Sequence, residues 1–152
     1  MTILKYEVDV KAPLEEVYGY CTNLNSMKEA WSPELVKGAT NISGTPGEKG
    51  SMYKLIGHYA GKDEEMRMMV IEKWPNSKFE TKQTEGPFKK WDSKQEFEKR
   101  GEMTHLVHTI DYELPTTGKI FRMVSHRDAE DKIREGVETY IQNLKQKLES
   151  SL

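Results

Sequence analysis

The sequence predicts an α+β fold in which one broad, curved antiparallel sheet packs against a long C-terminal helix. Three observations point to it. Apolar and polar residues alternate at the start of the chain and again from about residue 35 to 114. Short turn-rich connections separate those alternating segments, which makes consecutive strands antiparallel neighbours. After about residue 119 the apolar period lengthens to that of a helix. With 152 residues and no repeat, low-complexity tract or linker, residues 1–152 read as a single domain.

The elements follow in order. Leu4, Tyr6, Val8 and Val10 point one way and Lys5, Glu7, Asp9 and Lys11 the other, a strand with one wet face. Pro13 suits the first turn of a helix, where its missing N–H costs nothing, and Glu15 and Glu16 suit the positive end of the helix dipole. Leu14, Val17, Tyr18 and Cys21 form the buried stripe of that helix. A second short helix follows an interruption at Asn23 and Asn25. Ser26 and Glu29 have capping-box spacing, and Pro33 ends the helix after Trp31.

Strands are expected at about 35–43, 50–59, 64–73, 78–85, 88–99 and 103–114. Their turn signals are Gly44-Thr45-Pro46-Gly47, Ala60-Gly61-Lys62-Asp63, Pro75-Asn76, Gly86-Pro87 and Arg100-Gly101-Glu102. Ile133, Val137, Tyr140, Ile141, Leu144 and Leu148 then form one helical stripe, with Phe121, Val124 and Ala129 upstream. A helix from Lys119 to Leu148 would be about 45 Å long. Ser125 with Asp128 offers a second start, and Asp128 with Lys132 and Glu130 with Arg134 are acid-first i, i+4 pairs.

Composition narrows the function. Twenty-three basic and 25 acidic side chains leave a charge of −2, without the basic excess of a nucleic-acid binder. The longest apolar run is Met68-Met69-Val70-Ile71, far short of the roughly 20 residues of a membrane span. One cysteine, Cys21, excludes an internal disulfide and a cysteine-based zinc cluster. Residues Met1 to Lys5 lead straight into patterned sequence without a signal-peptide core, so a cytoplasmic domain is expected.

A seven-stranded antiparallel sheet twists and curls, and one helix covers only part of its concave face. The remaining space is where a small-molecule site is expected. Alternation turns Trp91, Ser93, Gln95 and Phe97 inward on one strand, and Thr104, Leu106, His108, Ile110 and Tyr112 on the next. It also groups Phe79, Thr81 and Gln83. So many polar tips in an interior need partners, and a ligand or water in a cavity would supply them.

The stretch Val10-Lys11-Ala12-Pro13-Leu14-Glu15-Glu16-Val17-Tyr18, with Trp31-Ser32-Pro33 and Leu144-Lys145-Gln146-Lys147-Leu148-Glu149, resembles the SRPBCC superfamily. That superfamily includes START-like lipid-transfer domains, polyketide cyclase/dehydrase-like proteins and birch-pollen-type allergens. The resemblance spans the chain through its element order. It implies a helix-grip fold, a seven-stranded sheet wrapped on a long C-terminal helix with a pocket for apolar ligands, and marks no catalytic residue. The segment Gly44-Thr45-Pro46-Gly47-Glu48-Lys49-Gly50 differs from the glycine-rich loop of the plant allergen branch.

Other residue groups support simpler readings. His105 and His108 lie three apart on a strand, face opposite ways and cannot chelate one metal; His58 and His126 are elsewhere. The Gly44–Gly50 loop lacks a P-loop ending and reads as a flexible hairpin beside the pocket mouth. Lys89, Lys90, Trp91, Lys94, Lys99 and Arg100 form an ordinary solvated strand, since alternation separates the aromatic ring from the charges. Met66, Met68 and Met69, with Met52 and Met123 elsewhere, suit either an adaptable pocket wall or gap-filling in a core. Cys21 reads as a small buried hydrophobe, and Gly136 lies beside the helix stripe. Tyr53, Tyr59 and Trp74 are not assigned to a face.

The sequence thus leads to binding of an apolar small molecule such as a lipid, isoprenoid or polyketide. Its expected lining is Trp31, Phe79, Gln83, Trp91, Gln95, Phe97, Leu106, His108, Ile110, Tyr112 and Val137. Gln95, His108 and Tyr112 would orient polar groups, and the C-terminal helix and Gly44–Gly50 loop would gate access. No metal, cofactor, nucleic acid or stable membrane insertion is expected, and the oligomeric state stays open. The alternatives are a polyketide cyclase/dehydratase-type enzyme, with His108 the residue placed for proton transfer, and a chaperone-ATPase-activator-like or quinone-binding accessory protein.

Overall fold

Alternation does organise the chain into strands. The computed structural model describes residues 2–31, 36–59, 62–115 and 126–150. Strand β1 (Thr2–Val10) leads into helices α1 (Leu14–Thr22) and α2 (Leu24–Ala30). Strands β2 (Gly38–Ser43), β3 (Met52–Tyr59), β4 (Lys62–Trp74), β5 (Lys78–Glu85), β6 (Lys90–Arg100) and β7 (Met103–Glu113) follow, and α3 (His126–Ser150) ends the chain. The seven strands make one antiparallel sheet in the order β1-β7-β6-β5-β4-β3-β2. It is a helix-grip architecture. The expected roles of Pro33, Phe121, Val124 and Ser125, and the helix start at Lys119, fall outside the described residues.

Two details at the helix ends differ from expectation. Pro13 is the N-cap of α1, one position before the first turn. Asn23, not Ser26, caps α2: its side-chain oxygen accepts from the backbone N–H of Asn25 at 2.9 Å and of Ser26 at 3.2 Å. An asparagine oxygen satisfies two N–H groups that a new helix leaves orphaned, so α2 starts immediately after α1 ends. At its other end, Asn143 of α3 donates to the Ala30 carbonyl at 2.9 Å.

The sheet bends at irregularities that no hydrophobic pattern announces. The β4–β5 register shifts between Arg67 and Met68 and again between Val70 and Glu72, where Ile71 is the extra residue. A one-residue bulge bends its strand and inverts which face later residues take. Met66, Met68 and Val70 are buried on the inner face, whereas beyond the bulge Trp74 is 56% exposed. Its indole N–H donates to Glu72 at 3.1 Å, and Lys78 Nζ lies 4.8 Å from the ring centroid.

Helix α3 runs along β1 in the same direction. Thr2 Oγ1 donates to Glu130 at 3.4 Å, Tyr6 to Glu138 at 3.3 Å, Lys145 to the Asp9 carbonyl at 2.7 Å, and the Lys11 N–H to Glu149 at 3.0 Å. The match is geometric: from 130 to 149 a helix advances about 29 Å, and from 2 to 11 a strand advances about 30 Å. Glu130 therefore meets β1, and Arg134 pairs with Asp131. The other side of α3 buries Ala129, Ile133, Val137, Tyr140, Ile141, Leu144 and Leu148, the expected stripe.

Candidate functional site

The inward rows of β5, β6 and β7 build the site. Register sets His108 opposite Gln95, and Gln95 opposite Phe79, while Ser93 stands between Ile110 and Thr81. Since paired residues share a face, the row brings polar tips to the sheet centre beneath α3. Gln95 donates to the Tyr140 hydroxyl at 3.0 Å, and Ser93 Oγ lies 3.1 Å from His108 Nε2. The His108 and Tyr140 rings meet edge to face at 5.3 Å. Cys21, Tyr53 and Thr81 border the same space.

These side chains line a cavity of about 40 Å3, together with Met27, Trp31, Leu55, Met68, Phe79, Trp91 and Ile110. A second cavity of about 40 Å3 lies among Trp31, Val36, Leu55, Met66, Phe88, Trp91 and Ile133. Trp31, Leu55 and Trp91 border both and divide them. Each space is enough for only a few water molecules, far below the roughly 300–1,000 Å3 of a drug-sized ligand pocket. The broad hollow suggested by sheet width is thus largely filled by rings. Trp31 stacks on Tyr140 at 4.7 Å, and Phe88 lies against Trp91 at 4.7 Å.

The polar row is electrically neutral. Burial holds the His108 imidazole down to about 4, so it is uncharged at pH 7. Burial also pushes the Cys21 thiol and the Tyr53 phenol up to about 12 each. The Tyr140 phenol is raised well above its ordinary value by the same cause. Neither cavity is lined by Asp, Glu, Lys or Arg among the described residues. An acid–base pair such as a carboxylate beside His108 is therefore missing from this lining, and no cluster of metal-ligating side chains occurs among the described residues.

Of the expected lining, Trp31, Phe79, Trp91, Gln95, His108 and Ile110 border the first cavity. Five others take different places. Gln83 clamps the β5–β6 turn: its amide donates to the Phe88 carbonyl at 2.7 Å and its oxygen accepts from the Phe88 N–H at 3.2 Å. Phe97 packs on Tyr18 at 5.1 Å, and Tyr112 packs on Trp91 at 5.6 Å. Leu106 and Val137 are fully buried core residues. The first cavity is also lined by Cys21, Met27, Tyr53, Leu55, Thr81, Ser93 and Tyr140, which are absent from the expected lining, and by Met68, one of the methionines suited to either a pocket wall or a core. Alternation had already grouped Ser93 and Thr81 with lining residues; Tyr53 had no such signal.

The Gly44–Gly50 loop is tied down. Gly50 donates to the Val70 carbonyl at 2.8 Å, Val70 donates back to Ser51 at 3.0 Å, and Lys73 pairs with Glu48 at 2.8 Å. Gly47, at φ 81°, comes so close to the Thr22 carbonyl that a Cβ would lie 3.2 Å from it. On the outside, an open groove of about 300 Å3 runs between Ala12–Glu15 and Lys99–Met103.

A family model described as polyketide cyclase / dehydrase and lipid transport matches residues 1–149. The chain belongs to that family. No curated protein matches it significantly. Among solved structures it is similar to the START superfamily protein from Mycobacterium smegmatis, with 18% identity, 99% of each chain covered and a TM-score of 0.79. It is also similar to TTHA0849 from Thermus thermophilus, with 21% identity, 99% of each chain covered and a TM-score of 0.76. The ginseng major latex-like protein 151 from Panax ginseng shares 14% identity over 97% of each chain, with a TM-score of 0.70. These likenesses show that the helix-grip fold is shared. Among the described residues, no helix is long and apolar enough to cross a membrane.

Proposed function

We propose that the protein binds one apolar small molecule, of the lipid, isoprenoid or polyketide kind, between the sheet and α3. The observation that carries this reading is the polar row inside an otherwise apolar interior. Cys21, Ser93, Gln95, His108 and Tyr140 converge on one small cavity bordered by Trp31, Met27 and Met68. A fold stabilised by its core alone gains nothing from such a row, because every buried polar group needs a partner. Burial of the ligand's apolar surface, at about 25 cal/mol per Å2, would supply most of the affinity.

A ligand of useful size must displace side chains. Trp31 is the one to move: it borders both cavities, is only half-buried, and directly follows α2 as its C-cap. Swinging it off Tyr140 would join the two spaces and vacate the volume of an indole. Binding is favoured over cyclase or dehydratase chemistry because His108, held down to about 4, is a weak base at neutral pH. Native mass spectrometry of the protein isolated gently from its cells tests the reading. The expected result is a one-to-one adduct that organic solvent removes. A bare chain, both as isolated and after incubation with a lipid extract of those cells, would refute it.

A further inference from the structure

The reading of the interior as a binding site leaves open which chemical group it recognises, and the geometry around His108 narrows that choice. We propose that His108, seated by Ser93, is the specificity-determining anchor of the cavity: it selects ligands whose hydrogen-bonding group is an uncharged hydroxyl or carbonyl and rejects the matching carboxylates. This inference rests on the proposed function above.

Three observations support the assignment. The His108 ring is 2% exposed and its Nδ1 meets no hydrogen-bond partner among the described residues. Four other buried side-chain atoms share that condition, on Tyr18, Asn41, Asp111 and Tyr112, but none of those residues lines this cavity. The other ring nitrogen is already engaged, with Nε2 3.1 Å from Ser93 Oγ, and the Gln95 amide is engaged by Tyr140 at 3.0 Å. Among the fully buried side-chain atoms of the lining residues, His108 Nδ1 is thus the one without a partner within the described residues.

The chemistry of that atom sets the class of ligand. A neutral imidazole has one N–H and one bare nitrogen, and the rotation of the Ser93 hydroxyl decides which of them is Nδ1. As donor, Nδ1 meets a carbonyl or hydroxyl oxygen; as acceptor, it meets a hydroxyl proton. A carboxylate would surrender its water shell for that single bond and find no cation, because no charged residue lines either cavity among the described residues. An ammonium fares no better.

Toluene, p-cresol and p-toluate share one ring and differ only in the added group. Nuclear magnetic resonance titration of the whole protein at pH 7, following the His108 ring, compares them. The expected order is p-cresol about tenfold tighter than toluene, as one added hydrogen bond allows, and p-toluate weaker than both. His108→Phe is expected to erase the p-cresol advantage while toluene still binds. Ser93→Ala, which keeps the core volume, is expected to reduce it, and stands in if the first variant does not fold. A p-toluate affinity equal to that of p-cresol, or an advantage for p-cresol that survives both variants, overturns the anchor but leaves ligand binding intact. Failure of all three probes to bind the unaltered protein also overturns the anchor, whereas ligand binding itself stands or falls with the adduct sought by native mass spectrometry.

Discussion

Two histidines three residues apart on β7 show how strongly position controls a side chain. His105 faces outward, with Nδ1 2.8 Å from Asp9 Oδ1 and Nε2 3.0 Å from Glu7 Oε1. Bonds to Asp9 and then Glu7 favour the protonated ring and raise its pKa above the ordinary 6.5. Its contribution to stability is complete below 6.5 and is lost as pH rises through the raised folded value. The melting temperature of the unaltered protein is thus expected to exceed that of His105→Asn at pH 6, with the gap closing in alkaline buffer. A gap that does not change with pH would contradict this.

His108 behaves in the opposite sense. Its folded value of about 4 lies below the ordinary 6.5, so the neutral ring stabilises the fold above 6.5. That stability, about 3 kcal/mol, is lost as pH falls from 6.5 toward 4, because the unfolded chain takes up the proton first. In a nuclear magnetic resonance pH titration, the His108 ring signals are expected to stay fixed down to about pH 5. Titration of His108 near 6.5 would show that the ring is wetter than its 2% exposure implies.

At the scale of elements, each helix and strand is held by a few specific contacts. Leu144 is fully buried on α3, and Leu144→Ala is expected to cost about 2–5 kcal/mol in a denaturant melt. The buried Thr104 hydroxyl donates to the Ala12 carbonyl at 2.8 Å and so ties the β1–α1 turn to β7. Thr104→Val, which keeps the shape and strands that carbonyl, is expected to cost about 1–3 kcal/mol. A cost below about 0.5 kcal/mol would mean that water reaches the carbonyl.

Element type and order were legible because periods of two and of 3.6 residues are written directly into the side chains. The inward faces of β6 and β7 followed from the same alternation, and Gln95 and His108 with them. Trp74 was not assignable, because the extra residue at Ile71 inverts the faces beyond it and leaves no hydrophobic signature. Gln83 shows a second limit. Alternation gave it the face of Phe79 and Thr81, but its amide reaches back to the Phe88 backbone. Tyr140 shows a third: a helical stripe marks a residue as buried without telling whether its hydroxyl is engaged, here by Gln95. Face follows from pattern, whereas contact depends on the partner that folding delivers.

For the whole molecule, the balance between a packed core and a binding space centres on Trp31. Its indole divides two cavities of about 40 Å3 each and stacks on Tyr140. Trp31→Ala is expected to cost about 2–4 kcal/mol, at or below the range for a fully buried Trp, because this ring is only half-buried. The joined space is then expected to take up benzene, raising the melting temperature of this variant more than that of the unaltered protein. Equal responses would mean that neighbouring side chains collapse into the hole.

The bound ligand is expected inside the molecule, between Trp31 and His108. Methionine methyl groups report this directly, since Met27 and Met68 line the first cavity, Met66 the second, and Met103 the outer groove. Nuclear Overhauser contacts from bound p-cresol to the labelled methyls are expected at Met27 and Met68. Contacts to Met103 with none to Met27, Met66 or Met68 would place the ligand outside and contradict the account.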